Sequence, residues 1–265
     1  MSDFFKTLPQ YLLPQHALSG LLGRLSNCRG PESLKNWAIK KFIDHYGVNL
    51  SEAVESDYRH YHSFNDFFTR KLLPGARMID PNPHMITSPA DGSISEIGKI
   101  NQNKLLQAKG HSYTVRDLLG GDLDAALDFQ NGSFATIYLS PKDYHRVHMP
   151  YSGHFLKKIY IPGRLFSVNS RTTRVVPNLF ARNERIITFF QTDMGKMAVI
   201  LVGAMIVGNI IITATENNLL QKGDELGYFQ LGSTVIILFE ANQMAWKKEF
   251  RADSAVKMGQ SIGEK

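Results

Sequence analysis

The sequence predicts an α+β fold, a mostly antiparallel β domain preceded by an N-terminal amphipathic helical region. Three observations carry this. Over the first 80 residues, leucines and aromatics recur at helical spacing. Beyond Pro81, short β-branched and aromatic runs alternate with Gly, Asn, Asp and Pro turns, the pattern of an antiparallel sheet. At 265 residues the chain is long enough to bury a large core without staples, and its single Cys28 excludes an internal disulfide. The expected division is a helical region over 1–80 and a β-rich domain over 81–265.

Leu18, Leu21, Leu22 and Leu25 form the first helical stripe, between Pro14 and Gly30-Pro31. Phe4, Phe5, Tyr11, Leu12 and Leu13 add apolar mass in front of it, so this stripe reads as an interfacial membrane face. A second helix is expected over Ser33–Tyr46, with Leu34, Trp37, Ala38 and Phe42 on one face and Gly47 as its stop. A third, Ser63–Leu72, carries Phe64, Phe67, Phe68 and Leu72 and reads as packing. Strands are expected at Ser93–Ile100, Phe134–Leu139, Phe155–Ile161, Ile186–Gln191, Met197–Val207, Asn209–Thr213 and Thr234–Phe239. The uncharged stretch Met197–Thr215 has nearly the length of a membrane span, but its Gly203, Gly208 and Asn209 fit two strands meeting at a glycine bend better. Nothing at Met1–Lys6 resembles a secretory signal.

The net charge is +6, and the segment 142–185 alone holds nine basic residues against Asp143 and Glu184. Such a block suits an anionic partner. Three places could carry chemistry. Ser88-Pro89-Ala90-Asp91-Gly92 sets an acid on what reads as a tight turn. Tyr144-His145-Arg146-Val147-His148 offers two histidines, without the further Cys or His of a zinc site. Leu231-Gly232-Ser233-Thr234 places a serine behind a glycine at the mouth of an apolar strand. Glycine permits an unusual backbone there, and a hydroxyl can attack a distorted carbonyl once a base takes its proton. Asp91, His148 and Ser233 are the parts of a nucleophile relay. No Gly-x-Ser-x-Gly elbow surrounds Ser233, which argues against a conventional serine hydrolase.

These motifs, with Phe64-x-x-Phe67-Phe68-x-Arg70-x-Leu72, Pro162-Gly163-x-Leu165-Phe166-Ser167-Val168-Asn169, Pro177-Asn178-Leu179-Phe180-x-x-Asn183-Glu184-Arg185, Val202-Gly203-Ala204 and Lys222-Gly223-x-Glu225-x-Gly227-x-Phe229, follow one another along most of the chain. The chain resembles the bacterial phosphatidylserine decarboxylases. The resemblance implies a proenzyme that cuts its own Gly232–Ser233 bond into a β chain, 1–232, and an α chain of 33 residues. Ser233 Oγ attacks the Gly232 carbonyl, the amide becomes an ester, and elimination with loss of ammonia leaves a pyruvoyl group as covalent cofactor. That ketone forms a Schiff base with the substrate amine and accepts the electrons released with CO2. Asp91 and His148 would drive the cleavage, and His145 would protonate the product carbon. The two histidines are three apart and face opposite sides of a straight strand, unless the chain turns at Ser140-Pro141, which reads as a helix start.

The implied partners are phosphatidylserine, an anionic membrane surface, the two chains of one precursor, and a second αβ unit in a homodimer; no nucleic acid or metal is expected. The implied place is the cytoplasmic face of the cell membrane, peripherally bound. Two other readings stay open: a pyruvoyl decarboxylase of a soluble amino acid, and a non-catalytic anionic-lipid-binding protein of the same fold.

Overall fold

The computed structural model describes residues 7–108, 111–205, 209–230 and 232–265. Phe4, Phe5, the Gly208 bend and Leu231 lie outside the described residues. Eight strands form one sheet, in the spatial order Leu219–Leu220, Gly153–Ile161, Arg185–Thr192, Gly195–Val202, Ser233–Phe239, Ser133–Leu139, Gly92–Lys99 and Ala255–Val256. Each pairing is antiparallel. A three-stranded sheet, Ile210–Ile212, Glu225–Phe229 and Arg146–His148, packs beside it.

The Ser233–Phe239 strand shows why its sequence is apolar throughout. Both of its edges are paired and both of its faces are covered, so every one of its residues is buried. Val235, Ile237 and Phe239 enter one core with Ile86, Val147 and Phe229, while Ile236 and Leu238 enter the other with Leu118, Phe129 and Phe180. A strand buried on both faces has no polar positions to alternate with. Burying its five apolar side chains contributes roughly 8–15 kcal/mol of transfer free energy.

The expected strands appear within a residue or two of their predicted ends, with one exception. The strand from Met197 ends at Val202, where the Gly203 amide turns to the Glu184 carbonyl at 2.8 Å. Sequence did not show the short helices Val115–Leu118 and Leu123–Phe129, which cover one sheet face; Thr114 and Asp122 cap them through side-chain oxygens.

The N-terminal helices run Gln15–Asn27 and Glu32–Tyr46. In the first, the buried residues are polar, namely Gln15, Ser19 and Ser26, whereas Leu21 and Leu25 are 56% and 61% exposed. Polar contacts explain this inversion. Gln15 Oε1 accepts from the Leu165 amide at 2.8 Å, Gln10 Oε1 accepts from the Ser167 amide at 3.0 Å, and Tyr11 rests on Phe166. In the second helix, Ile39 is fully buried and Phe42 packs on Phe64, Phe67 and Phe68, while Leu34 and Trp37 face outward. Gly47 closes it at φ +69°, as its position predicts.

The third helix is shorter than the Ser63–Leu72 expectation and ends at Phe68. Thr69 bonds its hydroxyl back to the Asn65 carbonyl, and Leu72 bridges Ala53, so the chain has already become extended. Among the described residues, no helix is long and apolar enough to cross a membrane.

Candidate active site

Ser233 opens the central strand, in register with Leu139. Its side chain is fully buried, and its Oγ has no hydrogen-bond partner. A buried hydroxyl with no partner is costly, so its persistence points to a function. Gly232 before it sits at φ +63°, with nothing within 4 Å of where a Cβ would be. The glycine is therefore needed for its backbone angle and not for space.

His148 ends the Arg146–His148 strand, opposite Glu225. Its amide donates to the Pro89 carbonyl at 2.8 Å, which sets it against the Ser88–Gly92 segment. The ring Nδ1 lies 2.9 Å from the Gly223 carbonyl and must donate to it. Nε2 is then the atom with the lone pair, and the Tyr144 hydroxyl sits on it at 3.0 Å. Burial pushes the ring pKa down, with the Gly223 carbonyl and the charges of Glu225 and Asp91 opposing it.

Asp91 is 1% exposed. Arg77 grips its carboxylate with Nε, at 2.9 and 3.1 Å from the two oxygens, and with Nη2; Arg77 also holds Glu52. The Met258 amide donates to Oδ1 at 2.9 Å, and Lys257 Nζ stands 3.4 Å from Oδ2. Burial alone would push the carboxyl pKa up, but Arg77 and Met258 outweigh it and hold it below its ordinary value. Gly92 has a different duty from the Asp-Gly turn its sequence suggests, since a Cβ there would lie 2.3 Å from the Tyr138 carbonyl oxygen. It lets two strands approach closely just behind the acid.

His145 is fully buried and stacks on Phe68, with ring centroids 4.1 Å apart. Its Nε2 donates to the Ser140 carbonyl at 3.0 Å, and its Nδ1 has no partner. Burial first, then the charge of Arg70, pushes its pKa down to about 3, so the ring is neutral. The chain does reverse between Leu139 and His145, but by a turn and not by the helix that Ser140-Pro141 suggested. Asp143 closes it, its carboxylate accepting from the Ser140 amide at 2.7 Å and from the Ser140 hydroxyl at 2.6 Å.

The four residues singled out from sequence thus gather around one end of the central sheet. Ser233 pairs with Leu139, His145 is tied to Ser140, the next residue, and His148 is tied to Pro89, two residues before Asp91. None of the four hydrogen-bonds another. Asp91 is committed to Arg77, and the tautomer of His148 is fixed by a backbone carbonyl. A cavity of about 200 Å³ reaches Asp91 but none of the other three, and Arg77, Glu52, Arg70, Asp143, Tyr144 and Lys257 line it as well.

Sequence reasoning left Arg77, Gly223 and Tyr144 without roles. Tyr144 and Gly223 stood inside quoted motifs; Arg77 had no such signal. The basic block is also less uniform than its charge suggests. Arg185 is buried among main-chain carbonyls, and Arg146 pairs with Glu225 at 2.8 Å.

The unpartnered Ser233 hydroxyl, buried at a strand start behind a left-handed glycine, fits the precursor of a pyruvoyl group. Comparison with known proteins gives the family. The family model described as phosphatidylserine decarboxylase matches residues 64–264, and a second, described as PSD, matches residues 5–47. The chain is 47% identical to a phosphatidylserine decarboxylase proenzyme of Marinobacter nauticus, over all of this chain and 99% of the relative. It is 51% identical to one of Acinetobacter baumannii, over 96% of this chain and 94% of the relative. It is 47% identical to one of Azotobacter vinelandii, over all of this chain and 99% of the relative.

Proposed function

The chain belongs to the phosphatidylserine decarboxylase family and is a decarboxylase made as a proenzyme, and we propose that it acts through a pyruvoyl group derived from its own Ser233. The observation that carries this reading is the buried, unpartnered Ser233 Oγ behind Gly232 at φ +63°. When present, the pyruvoyl ketone supplies an electron sink for loss of CO2 from phosphatidylserine, which leaves phosphatidylethanolamine.

The side chains divide the remaining work. Ser233 Oγ attacks the Gly232 carbonyl carbon and gives its proton to His148 Nε2, the one ring atom with a lone pair, once Tyr144 yields it. The negative charge of Asp91 favours the imidazolium that results. His145, walled by Phe68, serves the later step in which the substrate carbon receives a proton.

The precursor falls into the chains 1–232 and 233–265, and the second stays in place because it begins as the central strand. The first helix, with Leu21 and Leu25 outward and Gln15, Ser19 and Ser26 inward, supports peripheral binding to a membrane surface, and the resemblance supports the cytoplasmic side. The resemblance alone supports a homodimer of the αβ unit.

Intact mass of freshly purified protein tests the central claim. Two chains are expected, the smaller of 33 residues with a blocked, ketone-bearing N-terminus; a single 29.9 kDa species would refute it. Flotation with anionic vesicles tests the membrane reading, and protein that stays with the soluble fraction would refute that part alone.

A further inference from the structure

A histidine that takes a serine proton must keep Nε2 bare, so some group has to hold its other proton on Nδ1. In a nucleophile relay a carboxylate does this, and it also balances the charge of the imidazolium. Here both oxygens of Asp91 are taken, by Arg77, by the Met258 amide and by Lys257. His148 Nδ1 faces the Gly223 carbonyl instead, at 2.9 Å.

The motif Lys222-Gly223-x-Glu225 builds the place of that carbonyl. The Asp224 amide returns to the Gln221 carbonyl at 3.0 Å, which closes a four-residue turn. Gly223 stands third in it at φ +90°, the position where a type II turn needs glycine. Two side chains tie the first half of the turn. Asp224 Oδ2 accepts from the Gln221 amide at 2.7 Å, and Ser152 Oγ accepts from the Lys222 amide at 2.9 Å. The second half is fastened to Met149, the neighbour of His148. The Met149 amide donates to the Asp224 carbonyl at 2.8 Å, and the Gly223 amide donates to the Met149 carbonyl at 2.9 Å. Ile79 covers the turn closely enough that a Cβ on Gly223 would lie 2.3 Å from its Cδ1.

We infer that the Gln221–Asp224 turn is the positioning element of His148: the Gly223 carbonyl fixes the tautomer that self-cleavage needs, and Asp91 acts on the ring through its charge alone. Two duties that one carboxylate combines elsewhere are separate here. They are separate along the chain as well. Gly223 and His148 both belong to 1–232, whereas Met258 and Lys257, which help to hold Asp91, belong to 233–265. The proposed cut therefore leaves the tautomer contact within one piece.

The inference rests on His148 being the base of self-cleavage, and the test separates the two. Uncut Ser233→Ala protein with isotope-labelled histidine is observed by NMR at mildly alkaline pH, where the ring is neutral. The His148 signals are identified by their loss in His148→Gln. The ring proton should sit on Nδ1. It should stay there in Asp91→Asn and divide between the two nitrogens in Gly223→Ala. In the chain that keeps Ser233, Gly223→Ala should slow self-cleavage by about tenfold or more, and adding Ile79→Ala should restore part of the rate by making room for the methyl. A proton on Nε2 in the Ser233→Ala parent, a proton displaced from Nδ1 in Asp91→Asn, or one that keeps to Nδ1 in Gly223→Ala overturns the inference. Should Gly223→Ala not fold, Ser152→Ala with Asp224→Ala loosens the same turn and is read in the same way. Spectra as expected with self-cleavage at the parent rate would refute the base reading of His148 instead, and a parent left uncut in intact mass the pyruvoyl reading.

Discussion

Replacing Arg77 by methionine should cost the fold about 3–4 kcal/mol, a figure set by what Asp91 loses. The side chains of Arg77 and Asp91 are 7% and 2% exposed, so the pair is desolvated. Breaking a buried pair by removing one partner typically costs about 3–5 kcal/mol, because the other charge is left uncompensated. Lys257 at 3.4 Å and the Met258 amide at 2.9 Å still face the carboxylate, which places the cost at the lower end. The lost contact with the partly exposed Glu52 adds under about 1 kcal/mol.

The Ser233→Ala background keeps one uncut chain, so urea unfolding reads a unimolecular equilibrium. There, Arg77→Met should lower the midpoint by about 6–16 °C in a parallel thermal scan. Adding Asp91→Asn removes the stranded charge and should recover part of the loss. The pH dependence has a defined sign. In the parent, Asp91's folded-state pKa lies below its ordinary 3.8, so its stabilisation is present above that value and fades as pH falls through the folded-state pKa. With Arg77 gone, burial pushes the carboxyl pKa up. The deficit of Arg77→Met should begin to shrink as pH falls through that raised value, above the ordinary 3.8, and go on shrinking below it as the parent loses its own stabilisation. A cost under about 1 kcal/mol, or a double variant whose losses simply add, would refute the argument.

Other outcomes follow from the same geometry. Tyr144→Phe should self-cleave no more slowly than the parent, because the hydroxyl occupies the lone pair that must accept the Ser233 proton; a tenfold slowing in a mass time course would make it part of the relay. His145→Ala should cleave but decarboxylate poorly, and an uncut product would exchange the roles of the two histidines. Gly92→Ala drives a methyl to 2.3 Å from the Tyr138 carbonyl oxygen and should cost about 1–3 kcal/mol, read by urea denaturation. Leu21→Asn with Leu25→Asn should weaken vesicle binding by about a hundredfold or more in flotation without lowering the melting temperature, since both leucines already face water.

The strands were legible because their residues are β-branched and separated by turn formers. The helices between Val115 and Phe129 were not, because each is a few residues long and owes its start to a local cap. The site divides along a similar line. Asp91, His145, His148 and Ser233 stand out by residue type and motif. The Gly223 carbonyl does not, since every residue has a carbonyl and only the fold aims this one at His148. Arg77 escaped for the same reason. Its meaning lies in reaching Asp91 across a loop, and nothing in its own neighbourhood records that. The buried polar face of the Gln15–Asn27 helix was hidden as well, because periodicity locates an apolar face without saying which way it turns.

The central position of Ser233–Phe239 gives this protein a history it cannot repeat. The strand lies between Gly195–Val202 and Ser133–Leu139, both of which the proposed cut leaves on the longer piece. While the precursor is whole, bringing the three together is a matter of closing loops within one molecule. After the cut the same meeting needs two molecules to find each other, and its yield falls with dilution. The mature arrangement is inherited from the precursor, and a preparation heated past its transition should not come back. Its useful lifetime is therefore set by the rate at which the middle strand is first lost.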